Sequence, residues 1–453
     1  MSTDRKTGTA RKWTRAVAVT ALAVAPLAAC NTNSLLQVND PDIVQSTVFS
    51  NPKNLQAVRN GAIREFGRAY GGRENTDGGQ ILYSGLLADE FYASGTYTTR
   101  RDIDERRILQ TNASNEQAYY WLQRARNHAE EAADAYAADD SAGTADDAYM
   151  LNLAGFTYVM FGENYCSGVP FSKLPTTGPA DYGAPQTTEQ IFQRAIMRFD
   201  TAMAMAQLAN SSEQMNLARV GKARALLDMS LDSASEAATI AAAVPMDFQF
   251  DVLYDASVQD VWNAVWEFNN SEKRWSIAGG EGTNGLPYLT DSDPRTPTAA
   301  SGTGFNGTVP HYDELKYTGA GSGIPLATGI EARLIMAEAA LHAGDRTQFF
   351  TDLNNLRATV SLPDLTDTGQ TQAQLVDVLF RERAYWLWLT SHRLGDMRRL
   401  IREYGRTQDT VFPVGVSPNG GTFGKDVSLP IPFQENNNPK FKAAGGKCFN
   451  TTE

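Results

Sequence analysis

The residues able to do acid–base or metal chemistry are few and scattered. The chain has four histidines, His128, His311, His342 and His392, and none falls at zincin or paired metal-ligand spacing. Glu338 and His342 stand four residues apart among apolar neighbours, which reads as a helix-face pair rather than a ligand pair. The sequence has no Gly-Lys-Ser/Thr phosphate loop and no Gly-x-Ser-x-Gly nucleophile elbow. Its 52 Asp and Glu side chains are bound to include some pair at glycosidase separation, and no spacing singles one out. The reading is therefore of a binding protein rather than an enzyme, with no cofactor and no metal. A formal charge of −12 argues against nucleic acid as partner, which calls for a basic patch. With 42% hydrophobic and 10% aromatic residues, the chain can bury a sizeable core.

The elements that must carry any site are mostly helical. Apolar residues recur at helical spacing over Asn54–Tyr70, Gln80–Phe91, a long stretch to Ala138 capped at Ser114 or Asn115, Ala145–Asn164 and Thr188–Leu208. Shorter helices are predicted over Asn216–Met229, Ser233–Ala243, Thr328–Ala343 and Thr347–Thr359. From Leu375 to Arg399 the chain contains no Pro and only a late Gly395, and it is apolar on every face from Ala384 to Leu389. That stretch predicts one enclosed helix with charged ends, in which Asp377 and Arg381 pair at i,i+4 and Trp386 and Trp388 lock the core. Pairs of helices joined by short turns point to a mainly α fold of degenerate tetratricopeptide-like stacking, without a strict repeat of about 34 residues. Residues 246–328 break the pattern with many Gly and Pro, too long for a simple connection, and predict a functional loop and short-strand insertion.

The N-terminus reads as a targeting segment. Arg5, Lys6, Arg11, Lys12 and Arg15 precede the apolar run Ala16–Ala29, which is too short to span a bilayer. Its end, Leu27-Ala28-Ala29-Cys30, resembles the lipobox of bacterial lipoproteins. The resemblance implies that residues 1–29 are removed and that Cys30 is acylated, and several acyl chains give stable anchoring. Asn31, where an inner-membrane retention signal has Asp, implies the outer membrane by the rule of that family. Residues 30–52 follow as a tether, and 30–453 as a single domain. In that oxidising compartment Cys166 and Cys448 remain as an even pair, either bridged or two separate buried thiols.

Several stretches taken in order resemble the SusD/RagB family of outer-membrane nutrient-binding lipoproteins. They are Glu331–Ala340 with Asp352–Arg357, Phe380-Arg-Glu-Arg383 with His392–Arg399, and Leu429-Pro-Ile-Pro432 with Glu435–Pro439. Asp293-Pro-Arg295 and Gly168-Val-Pro170 fit as well; Leu394 and Gly395 depart from the family's bulkier aromatic pair. The resemblance implies a cell-surface, lipid-anchored protein that captures oligosaccharides, or in some members peptides, and hands them to a SusC-like TonB-dependent transporter. A tetratricopeptide-like scaffold for protein partners alone is the alternative, and a secreted glycoside hydrolase the third reading.

A sugar presents a C–H face that packs on an exposed aromatic ring, while polar groups fix its hydroxyls. Two loop regions offer that combination: Tyr92–Arg101, with Tyr92 and Tyr97, and Trp262–Tyr288, with Trp266, Asn269, Arg274 and Trp275. Trp262 and Trp266 are i,i+4, so Trp262 is expected in the core. Trp275, leading into a Gly-rich stretch, is the foremost candidate platform.

Overall fold

The helices follow local rules that the sequence makes visible. In this computed structural model, which describes residues 54–73, 77–139, 142–173 and 180–452, α1 spans Leu55–Gly71 and α2 Gln80–Leu87. A short α3, Thr98–Asp104, precedes the 26-residue α4, Ala113–Ala138, whose cap is Asn112, its side chain accepting from Asn115 N–H at 3.0 Å. Then come α5 (Ala145–Asn164), α6 (Thr188–Leu208), α7 (Ser212–Met229) and α8 (Ala234–Ala241). Thr187 and Gln190 form a reciprocal capping box at the head of α6. The Ser211 cap starts α7 four residues before the expected Asn216. After the insertion come α9 (Gly329–His342), α10 (Arg346–Ala358), α11 (Gln372–Trp386) and α12 (Arg393–Arg402).

From α4 to α10 each helix packs on the one before it: α5 on α4, α6 on α5, α7 on α6, α8 on α7, α9 on α8 and α10 on α9, while α1 packs on α4 and α11 on α9. This is the expected stack of helix pairs, and the fold is mainly α. Close approach in its centre depends on glycine. A Cβ on Gly155 of α5 or Gly221 of α7 would lie 2.6 Å or 2.3 Å from the Phe199 ring of α6. From Met150 onward α5 is buried on every face, as a helix enclosed by neighbours must be. The described residues belong to one unit, Phe49–Glu453. The signal peptide expected at 1–29, the acylation expected at Cys30 and the tether expected at 30–52 lie outside the described residues.

The insertion is closed at its neck by an antiparallel pairing. With β1 given to Phe91–Ala93 and β2 to Gln249–Val252, the neck is β2 against β6 (Ile324–Thr328). Between them lie a helical turn Ala264–Trp266 that widens into a π turn Glu267–Ser271, then β3 (Trp275–Ile277) and a hairpin of β4 (Thr298–Thr303) and β5 (Pro310–Glu314). β3 pairs antiparallel with β1, with Ala93 opposite Trp275, and so joins the insertion to the N-terminal half.

The stretch Leu375–Arg399 is not one helix. α11 stops at Trp386 and α12 begins at Arg393, with Leu389 and Ser391 between them at positive φ, 56° and 64°. Tertiary partners replace the helical ones. Leu389 N–H donates to Glu90 at 2.8 Å, Leu389 C=O accepts from Tyr317 Oη at 2.9 Å, and Lys316 Nζ donates to the Trp388 carbonyl. Helix propensity favours continuation, and these contacts override it. The expected Asp377–Arg381 pair also gives way: Asp377 meets Arg406 at 2.8 Å and Arg381 meets Asp291. Of the two tryptophans, Trp388 is fully buried. Trp386 is half-buried, with Arg295 Cζ 5.1 Å from its ring and its Nε1 donating to Glu382 at 3.2 Å.

Cys166 and Cys448 are joined by a disulfide, with Cα atoms 5.8 Å apart. Hydrogen bonds from Ser167 N–H to Asn450 C=O (3.0 Å) and from Phe449 N–H to Ser167 C=O (2.8 Å) fix the C-terminal segment beside it. Mass spectrometry of a non-reduced digest should return these two peptides as one linked species; two free thiols would contradict it. Trp388→Ala should cost about 3–5 kcal/mol in denaturant unfolding and Trp386→Ala less than half as much. Equal losses would refute the assignment of Trp388 as the core anchor.

Candidate functional site

Tyr97 is the one expected platform residue that stands out in solvent, 53% exposed, at the N-cap of α3. Its loop is held from the insertion side. Ser94 N–H donates to Arg274 C=O at 3.0 Å and Ser94 Oγ to Lys273 C=O at 2.8 Å. Ser94 C=O in turn accepts from Asn306 N–H at 2.9 Å, in the turn between β4 and β5. That turn is shaped by Asn306, whose Oδ1 accepts from Thr308 and Val309 N–H. Gly304 lies so close to Ser94 that a Cβ there would meet the serine Cβ at 2.4 Å. The tip therefore brings Phe305, also 53% exposed, to the Tyr97 loop.

Arg274 lies between these rings. Its Cζ is 3.7 Å from the Phe305 centroid and 5.6 Å from that of Tyr97, and its Nε meets Glu272 Oε2 at 2.5 Å. Beneath Tyr97 sits buried Arg100, with Cζ 4.4 Å from the Tyr97 centroid and 4.2 Å from that of Trp275. The layering is Tyr97 outermost, then a guanidinium, then the core indole. Cation–π contacts of this kind contribute about 0.5–2 kcal/mol each and hold the outer ring in one orientation. The result is a surface of two exposed rings flanked by one guanidinium and one carboxylate.

The other expected residues form the frame of this surface. Trp275 is fully buried, its ring 4.9 Å from Phe268 and 6.0 Å from Tyr83. Its strand β3 is sandwiched between β1 and the core, so the Gly-rich segment after it does not expose the indole. Tyr92 is buried, its hydroxyl donating to Pro310 C=O, and burial pushes its pKa up to about 12. Asn269 is fully buried and clamps the insertion: Nδ2 donates to Trp275 C=O (2.6 Å) and Tyr312 C=O (3.1 Å), and Oδ1 accepts from Glu314 N–H (2.7 Å). Trp266 is half-buried and packed against the core. Trp262, expected inside, is also only half-buried, with Nε1 donating to Ala256 C=O at 3.0 Å. Sequence reasoning missed Phe305, although a large aromatic in Gly302-Thr-Gly-Phe-Asn-Gly307 is a hairpin-tip signal.

Carboxylates behind the loop tie it down. Asp104, at the end of α3, accepts from Ala93 N–H at 2.8 Å and from Asn419 Nδ2 at 3.3 Å. Burial raises its pKa to about 7, with Glu105 adding to the shift and the two hydrogen bonds opposing it. Near it, Glu281 is 4% exposed and both its carboxylate oxygens are buried without a hydrogen-bond partner among the described residues. Burial, then the charges of Asp104 and Asp89, push its pKa well above 4.5. Among the described residues, no group of three or more His, Cys, Asp or Glu is placed to hold a metal ion.

Three comparisons place these features among known proteins. The model of the SusD family matches residues 47–439. A search of curated proteins returns no match. A SusD superfamily protein from Bacteroides thetaiotaomicron VPI-5482 superposes with TM-score 0.65 at 15% identity, over 86% of this chain and 98% of that one. A SusD-like carbohydrate-binding protein from Bacteroides fragilis NCTC 9343 gives 0.64 at 14%, over 87% and 99%. Surface glycan-binding protein A from Bacteroides thetaiotaomicron gives 0.63 at 13%, over 88% and 99%. At such identities the likeness is one of fold.

The native Glu281 carboxyl keeps its proton to higher pH than the same group in the unfolded chain. The stability this neutral form supplies is complete below the unfolded value and is lost as pH rises toward the native one. Glu281→Gln removes that loss. Its melting temperature relative to wild type should rise steadily from pH 5 to pH 8; a constant difference would contradict the burial-driven shift.

Proposed function

This chain belongs to the SusD family, and from that premise we propose that it is a lipid-anchored outer-membrane protein that captures oligosaccharides and delivers them to a SusC-like TonB-dependent transporter. The observation that carries the reading is the pair of exposed rings, Tyr97 and Phe305, with Arg274 between them. A pyranose stacks its C–H face on such a ring, and the flanking Arg274 and Glu272 have the donors and acceptors to fix hydroxyls. The hairpin tip and the α3 loop come from distant parts of the chain, so their register sets the spacing of the rings. Two structural relatives described as carbohydrate- or glycan-binding support the same ligand class. No helix among the described residues is long and apolar enough to cross a membrane; acylation at Cys30 supplies the anchor in this reading.

Glycan and peptide arrays decide the ligand class, and titration of the best glycan tests the platform. Tyr97→Ala and Phe305→Ala should each weaken binding about tenfold, equivalent to ~1.4 kcal/mol. Melting temperature should fall only slightly, because both rings are exposed and each substitution removes only cation–π contacts with arginine. Wild-type affinity in both variants would remove the platform, and binding of peptides alone would overturn the glycan reading.

A further inference from the structure

A second concavity, of about 750 Å³, lies between α1, the first turns of α5 and α7, and β2. None of its lining residues belongs to the Tyr97 loop or to the β4–β5 turn. Its volume falls in the range of about 300–1,000 Å³ typical of small-ligand sites. Its floor is aromatic: Tyr149 and Phe250 meet edge to face with centroids 5.4 Å apart, and both are half-buried. Tyr254 closes one end, its hydroxyl donating to Gly67 C=O at 2.9 Å. Gly71 permits that approach, since a Cβ there would lie 2.2 Å from the Tyr254 hydroxyl oxygen.

The charges around the cleft define the ligand. Arg59 Nε meets Asp146 at 2.6 Å, and Arg64 and Arg73 both meet Asp260. An anion would have to displace those carboxylates to reach the guanidinium groups. Asp251 accepts only from a neutral group among the described residues, the Gln249 amide at 2.9 and 3.1 Å. It keeps acceptor capacity, because a carboxylate offers about four lone-pair sites. Aromatic rings for C–H contact, the carboxylate acceptor of Asp251 for hydroxyls, and arginines already paired with Asp146 and Asp260 fit a polyhydroxylated ligand that carries no anionic group.

We infer that this cleft is a second saccharide site, taking two or three rings of a neutral oligosaccharide independently of the Tyr97–Phe305 platform. The inference rests on the proposed function for its ligand class alone. A ligand long enough to touch both sites would gain avidity from the second contact.

The test is calorimetric titration of the full chain with maltotriose, cellotriose and xylotriose, with trigalacturonate and a glucosamine trimer as charged controls. Wild type is compared with a Tyr97→Ala/Phe305→Ala background, and with Tyr149→Ala or Asp251→Asn added to that background. Asp251→Asn keeps side-chain volume and so guards against a folding defect. At least one neutral trimer should still bind the background, and each cleft substitution should weaken that binding tenfold or more. If neutral trimers bind wild type but not the background, the cleft is overturned and the platform stands. Binding equal in wild type and background but abolished by the cleft substitutions removes the platform and keeps the cleft. Residual binding indifferent to both cleft substitutions, tighter binding of a charged trimer, or no neutral binding to any form overturns the inference.

Discussion

The structure depends on a set of buried charges radiating from α12. Asp396 receives Arg383 through contacts of 2.8 Å and Arg399 at 3.0 Å. Arg399 also grips Glu338 of α9 at 2.7 and 3.0 Å and meets Asp228 of α7 at 3.0 Å. Arg398 donates to the carbonyls that end α5, and Arg393 forms a two-point contact with Asp89 after α2, at 2.6 and 2.8 Å. Burial alone would raise the Asp396 pKa, yet Arg383 and Arg399 hold it well below the ordinary carboxylate range. Taking such ions out of water is expensive, and removing one partner from a buried pair typically costs about 3–5 kcal/mol. The network therefore specifies which helices meet, whatever its net stabilisation.

That specification reaches the surface through α2. Asp89 is locked to Arg393 and Glu90 accepts the N–H of Leu389, so the residues just before β1 are fixed by the α11–α12 corner. β1 then pairs with β3, and the Ser94 hydrogen bonds carry the register to the Tyr97 loop and to the hairpin tip with Phe305. The proposed binding residues Tyr97 and Phe305 sit on loops, but these loops hang from a charged corner deep in the helical stack. A rigid support of this kind limits the ordering entropy that a ligand has to overcome.

Much of this was legible in the chain. Helix periodicity placed Ala145–Asn164 and Thr188–Leu208 as they stand, because long amphipathic or all-apolar segments leave little ambiguity; the cap expected at Ser114 or Asn115 is Asn112 instead. The Gly- and Pro-rich break at 246–328 marked the insertion, whereas the even cysteine pair left a bridge and two separate thiols both open, since their separation in space is not written in the sequence. The break at Leu387–His392 was not legible, since it is made by Glu90, Tyr317 and Lys316, which are distant in sequence. Trp275 and Asn269 misled for a related reason. Residue type announces a sugar-binding group and a core clamp equally well; the pairing of β1 with β3 encloses Trp275, and hydrogen bonds to the backbone of Trp275, Tyr312 and Glu314 hold Asn269 inside. Tyr97 and Arg274 come together as candidates, while Phe305 joined them through a hairpin register that no single segment encodes.

In the proposed function a glycan rests on the Tyr97–Phe305 surface. Its most direct test is the set of nuclear Overhauser contacts between a bound oligosaccharide and selectively labelled aromatic rings. Contacts are expected from sugar C–H protons to the exposed rings of Tyr97 and Phe305, and none to buried Trp275. A bound glycan that contacts neither exposed ring would contradict it.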